Sequence, residues 1–151
     1  RSREQQRISF HMSKGPEANF WNTLRSNLPP KCQATRIENK HGGGVPDVHL
    51  IWDGFACWIE LKVSKGNGVN LSAHQVAWNT VYWARGGANF ILVKRSSERD
   101  LLLFDGDQSP QLVQTGLSGT EGARFESSAA LFDGLRPRLL ARYSAALRSA
   151  V

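Results

Sequence analysis

At 151 residues the chain is sized for one compact domain that buries about two-thirds of the surface it exposes when unfolded, so its stability requires no disulfide or metal staple. Hydrophobic residues at 40% and charged residues at 21% exclude a disordered or membrane-embedded chain, and no apolar run approaches the roughly 20 residues that span a bilayer. The balance of 19 Lys and Arg against 13 Asp and Glu, net +6, favours a polyanionic partner.

Residues 1–7 show no apolar stretch of the kind a secretory signal needs, so the expected location is cytoplasmic, or the host cytoplasm for a viral protein. Met12 is the only methionine, and residues 1–11 read as a tag or linker remnant ahead of a single domain over 12–151. Setting aside Arg1, Arg3, Arg7 and Glu4 leaves the basic excess in place. Ser13 is a candidate cap and Pro16 sits near the first turn of a helix whose apolar stripe is Phe20, Trp21, Leu24 and Leu28. Pro29 and Pro30 stop that helix. Residues 32–37 read as a short strand leading into the loop Gly42-Gly43-Gly44-Val45-Pro46.

Residues 47–52 and 55–64 read as strands joined by Asp53-Gly54, a strong two-residue hairpin signal. Residues 72–85 have helical spacing and end at Gly86-Gly87, the expected C-terminal glycine signal. Residues 89–94 and 101–104 are two further strands, and the Gln, Ser, Gly and Thr content of 108–122 suggests loops. Leu139, Leu140, Tyr143 and Leu147 form a stripe on a C-terminal helix made basic by Arg136, Arg138, Arg142 and Arg148. Cys32 and Cys57 lack zinc-ligand spacing and read as reduced thiols, Cys57 in the core. This order of elements predicts an α/β layer arrangement, a mixed sheet flanked by helices.

The hairpin fixes a register. With Asp53 and Gly54 as its loop, Trp52 opposes Phe55, Leu50 opposes Cys57 and Val48 opposes Ile59, all apolar and all on one face. The other face pairs Ile51 with Ala56, His49 with Trp58 and Asp47 with Glu60, while Lys62 lies two residues beyond Glu60 on the same side. Opposed residues place Cβ atoms roughly 4.5–5.5 Å apart, where like charges destabilise a sheet. A hard divalent cation such as Mg²⁺ would offset that cost through oxygen ligands. A plain surface cluster, with Lys62 as partial compensation, is the competing reading.

Gly44-Val45-Pro46-Asp47, followed after thirteen positions by Glu60-Leu61-Lys62, resembles the PD-(D/E)xK nuclease superfamily. The spelling Gly-Val-Pro-Asp with Trp58-Ile59-Glu60-Leu61-Lys62 is similar to VRR-NUC domains, and archaeal Holliday-junction resolvases share the order of elements. The resemblance runs from about Lys14 to Arg95. It implies a restriction-endonuclease-like α/β fold, a mixed central β-sheet flanked by helices. It further implies that Asp47 and Glu60 hold Mg²⁺, with Mn²⁺ as substitute, while Lys62 positions the attacking water and stabilises charge on the phosphate.

Glu17 on the first helix is the candidate third acid, though an acid in a first turn is also favoured by the helix dipole; Glu38 competes for the role. Gln75 matches the glutamine that such proteins carry on the helix after the motif, and Ser72-x-x-Gln75 also spells a capping box. Lys40, Gly43, Gly44 and Lys65 are candidate DNA contacts, although three glycines in a row are more often a flexible turn. His41 and His49 read as solvent-facing; Trp78, Tyr82 and Trp83 read mostly as core, with base stacking as the minor alternative.

The implied activity is Mg²⁺-dependent endonucleolytic cleavage of DNA, structure-specific on branched substrates in the manner of a Holliday-junction resolvase. A VRR-NUC-like flap nuclease, a restriction-like enzyme and a non-cutting nucleic-acid-binding module on the same fold are the alternatives. Symmetric cutting calls for a homodimer, and the C-terminal stripe could supply its interface or cover the sheet.

Overall fold

The computed structural model describes residues 15–37 and 43–149, with only the backbone of Ala146 and Ser149. The segment 1–11, Ser13, Glu38, Lys40, His41 and Gly42 lie outside the described residues.

Six strands form one sheet in chain order: β1 (Cys32–Arg36), β2 (Val48–Trp52), β3 (Phe55–Ser64), β4 (Asn89–Arg95), β5 (Leu101–Asp105) and β6 (Ala123–Phe125). Neighbours pair antiparallel except β3 and β4, which run parallel and are connected through helix α2 (Ala73–Ala84). A parallel pair needs such a crossover because no tight turn can reverse the chain twice. Helices α1 (Pro16–Ser26), α3 (Ser109–Thr115) and α4 (Ser128–Ser149) complete the α/β architecture. Among the described residues no helix is long and apolar enough to cross a membrane.

The hairpin sets the register as its turn residues dictate. Asp53 (φ 50°) and Gly54 (φ 90°) both take positive φ, the requirement of a type I′ turn whose twist matches that of its strands. Trp52 faces Phe55, Leu50 faces Cys57 and Val48 faces Ile59. Those buried residues join Leu61, Phe90, Leu92 and Leu103 under Phe20, Trp21 and Leu24 of α1 and Leu131, Phe132, Leu135 and Leu139 of α4. Each such side chain contributes roughly 1.5–3 kcal/mol by leaving water. Cys57 belongs to this core, and both cysteines are free. A smaller cluster of Val69, Leu71, Ile91, Val93, Phe104, Leu112 and Leu117 fills the opposite side of β4 and β5, beside α2 and α3.

Helix α2 ends in a Schellman motif: the Gly86 N–H donates to Trp83 O, the Gly87 N–H donates to Tyr82 O, and Gly86 takes φ 91°. Arg142 of α4 seals that end by donating to Trp83 O (2.6 Å) and Gly87 O (2.9 Å). Tyr143 caps the sheet where β4 has not yet begun, its hydroxyl accepting from Ala56 N (2.9 Å) and donating to Ala56 O (2.7 Å). The C-terminal helix therefore covers the sheet through Leu139, while Leu147 stays exposed.

Three expectations change. The segment 108–122, expected as loops, contains α3, which has Pro110 near its start, inserts Leu112 into the smaller cluster and ends at Gly116 (φ 69°). Its low apolar content hid it, since one buried leucine on a two-turn helix creates no periodic pattern. Helix α4 starts well before the expected stripe and passes through Pro137, because Leu131, Phe132 and Leu135 gain more by burial than one lost backbone bond costs. Of Trp78, Tyr82 and Trp83, expected mostly in the core, Trp83 packs half-buried against it while Trp78 and Tyr82 do not join it; the buried residue of α2 is Asn79. Gly15 precedes α1 without a side-chain cap.

Candidate active site

Glu60 is the one charged residue among the buried described side chains, 1% exposed in the middle of β3. The strand alternation that sends Ile59 and Leu61 into the large core turns Glu60 to the other face, against Ile91 of β4. A carboxylate there loses hydration, and the pKa of Glu60 is pushed up to about 9. Burial is the main cause; the neighbouring Asp47 charge comes next, Lys62 works in the opposite direction, and Glu17 adds a smaller upward push.

The surrounding groups are fixed by different elements. Asp47 precedes β2 and is pinned at both ends: its carbonyl accepts from Ile37 N (2.6 Å), and its Oδ2 accepts from Leu61 N (2.9 Å). Lys62 lies two residues along β3 on the same face, its Nζ 3.8 Å from Glu60 Oε1, with its side chain 16% exposed. Glu17 lies in the first turn of α1, half-buried, and its charge adds a small upward push on Glu60. A helix dipole alone would explain its position but not its influence on Glu60.

Gln75 makes contacts in two directions. Its Oε1 accepts from Ser72 N (2.9 Å) and the Ser72 hydroxyl accepts from Gln75 N (3.1 Å), which completes the capping box. The other half of the same amide, Nε2, donates to Glu60 Oε1 (3.0 Å). Asn79 anchors this turn by donating to Gln75 O (2.8 Å), and Asn89 of β4 donates to Asn79 O and Oδ1, each at 3.0 Å. Neither asparagine was a sequence candidate. A signal was present, since asparagine in a helix interior is a poor helix former and suggests that a specific hydrogen bond holds it.

Glu60 Oε2 is buried without a hydrogen-bond partner among the described residues. An unsatisfied buried oxygen facing a second carboxylate suits a hard cation, which takes oxygen ligands and is commonly held by one or two carboxylates with water and phosphate completing its shell. Among the described residues no three His, Cys, Asp or Glu side chains converge as a ready cage. The donor set at hand is thus the Asp47–Glu60 pair, with Glu17 nearby.

Gly44 has φ 86°, and a Cβ there would lie 2.2 Å from His74 O and 2.6 Å from Gln75 N. The first turn of α2 therefore demands this glycine, independently of any phosphate. Gly43 is exposed in open space, and Lys65 is exposed just past β3. His49 is half-buried, its ring edge-on to Trp58 at 4.9 Å.

No family model matches the sequence, and no curated protein matches it. Two solved structures are similar. One is Hjc, a Holliday junction resolvase from the archaeal hyperthermophile Archaeoglobus fulgidus, with a TM-score of 0.49 and 20% identity over 78% of this chain and 89% of that one. The other is a VRR_NUC domain, with a TM-score of 0.42 and 17% identity over 65% of this chain and 94% of that one.

Proposed function

We propose that the chain is a Mg²⁺-dependent endonuclease that hydrolyses phosphodiester bonds in DNA, acting by structure on branched substrates. The observation that carries this reading is Glu60: a buried carboxyl with one unpartnered oxygen, set against Asp47 and 3.8 Å from the Lys62 ammonium. Such an arrangement is a liability for stability and an asset for binding a cation beside a phosphate.

Asp47 and Glu60 would hold the ion, with Glu17 within reach of its shell, and the ion would supply Lewis acidity toward the phosphate. Lys62 orients the attacking water and stabilises the charge that develops on the phosphate oxygens. Gln75 fixes Glu60 Oε1, the oxygen nearest Lys62, and Leu61 N–H holds Asp47 in place. Lys40, Gly43 and Lys65 are proposed contacts to the DNA backbone, where the net charge of +6 lowers the cost of approach. A two-fold dimer would present two such sites for paired cuts.

The test is incubation of the protein with labelled four-way, flap, single-stranded and linear duplex DNA, with Mg²⁺, with Mn²⁺ and with chelator. Metal-dependent cutting of the four-way junction is expected. Preferential cutting of the flap selects the VRR-NUC-like alternative, and a single short duplex sequence cut at all salt concentrations selects a restriction-like enzyme. Binding without cleavage under every metal condition would leave the non-cutting module.

A further inference from the structure

A row of aromatic rings leads away from the candidate site. His49 and Trp58 are opposed across β2 and β3 on the face that carries Asp47 and Glu60, one pair further along the hairpin. His49 meets Trp58 at 4.9 Å, Trp58 meets Trp78 of α2 at 5.8 Å, and Trp78 stacks on Tyr82 at 4.7 Å with only 12° between the ring planes. None of the four is buried. Helices α2 and α3 cover this face of the sheet from β3, where Gln75 meets Glu60 and Trp78 meets Trp58, to β5; over β1 and β2 it lies open, with Gln33 and Thr35 exposed and Ile51 41% exposed. On the helix side Tyr82 and Val81 are 36% and 46% exposed.

Rings held by one another at a surface, without joining a core, keep apolar area available for a partner. Two features identify that partner. Charge is the first: α2 and its cap contain no acid from Ser72 to Arg85, while His74 and Arg85 are exposed along it, so a polyanion meets no repulsion. Continuity is the second: Trp58 precedes Glu60 by two residues, about 6.6 Å along a strand. That distance spans about two steps of stacked bases at ~3.4 Å each. A second copy of the chain seated on Trp58 would overhang Glu60 and obstruct the site it adjoins.

We propose that the row from His49 to Tyr82 is a stacking platform for unpaired bases flanking the bond to be cut, such as those that open at a branch point. This rests on the nuclease reading for the nature of the polyanion and adds to it the state of the bases. Aromatic stacking accepts any base, which suits recognition by structure.

The test is Trp fluorescence of the full chain in chelator, titrated with an oligothymidylate of about twelve nucleotides, within the ~4–16 nucleotide range of such surfaces. The comparison probes are an abasic deoxyribose-phosphate oligomer of equal length and a blunt duplex. Oligothymidylate should quench the fluorescence and bind about tenfold more tightly than the abasic oligomer. Trp78→Ala should remove that preference without altering the salt dependence, and Trp78→Tyr should restore most of it. Should Trp78→Ala fail to fold by circular dichroism, Tyr82→Ala, at a more exposed position, carries the same expectation. Equal affinity for thymidylate and abasic oligomers overturns the proposal. So does sedimentation showing a dimer that Trp78→Ala dissociates while base preference persists, which would assign the row to a second copy. Base-dependent binding without metal-dependent cleavage would support the platform and refute the nuclease reading; cleavage without base dependence would do the reverse.

Discussion

On one side of the sheet, β2 and β3 present Val48, Leu50, Cys57, Ile59 and Leu61 to a large apolar core roofed by α1 and α4. On the other side the same two strands present His49, Trp58 and Lys62, half-covered, around the buried Glu60. Residues one position apart along a single strand thus answer to opposite demands, one face maximising burial and the other retaining an unsatisfied carboxylate oxygen. Stability and chemistry are separated here by the pleat, so substitutions on the two faces should differ in sign as well as in size.

The largest expected effect lies on the polar face. Lys62→Ala should slow DNA cleavage by at least ~100-fold, the scale of losing one group aimed at transition-state charge. Binding should change by less than about threefold, because one cation among many contributes little to affinity. Single-turnover cleavage and a binding isotherm measure the two quantities; near wild-type cutting by Lys62→Ala would remove that residue from the mechanism.

The next expectation opposes the two faces directly. Leu50→Ala should destabilise the protein by about 2–5 kcal/mol through lost burial and a residual cavity. Asp47→Asn should instead raise the metal-free melting temperature by a few degrees, since ~1 kcal/mol shifts a domain of this size by roughly 2–4 °C. Saturating Mg²⁺ or Mn²⁺ should stabilise the wild type and have little effect on Asp47→Asn. Melts with chelator and with metal decide this; an Asp47→Asn protein that is less stable, indifferent to metal and still active would reduce the pair to a surface charge cluster.

The last expectation concerns protons. With Glu60 pushed up to about 9 from its ordinary value of 4.5, the folded metal-free protein binds more protons than the unfolded chain between those limits. The contribution of the neutral carboxyl is complete below the unfolded pKa and declines as pH rises toward 9. Glu60→Gln should flatten that decline and exceed wild-type stability at pH 8. Wild-type and variant melts that run parallel from pH 5 to 9 would show that Glu60 does not titrate as a buried group.

Where local chemistry determined the structure, the sequence was readable. Asp53-Gly54 permits one turn type, and that turn alone placed Asp47 beside Glu60 and separated the apolar pairs from the polar ones. Ser72 and Gln75 marked the start of α2 for the same reason. What escaped depended on packing between distant segments. Apolar spacing along α2 could not reveal that Asn79, not Trp78, would turn inward, because that choice is made by Asn89 ten residues later. Helix α3 was invisible because its single anchor, Leu112, acquires meaning only from the pocket formed by Ile91 and Phe104. Gly44 was recognised as permissive, but the pressure that retains it comes from the backbone of His74.

Gln75 limits what can be substituted at its own position. Asparagine is one methylene too short to cap Ser72 and still reach Glu60. Glutamate would keep the cap but bring another carboxylate against an oxygen that already resists ionising. Lysine would approach Glu60 with a favourable charge, yet it has no acceptor for Ser72 N. Position 75 therefore tolerates essentially one residue type, and a library randomised there should return glutamine alone when stability and activity are selected together.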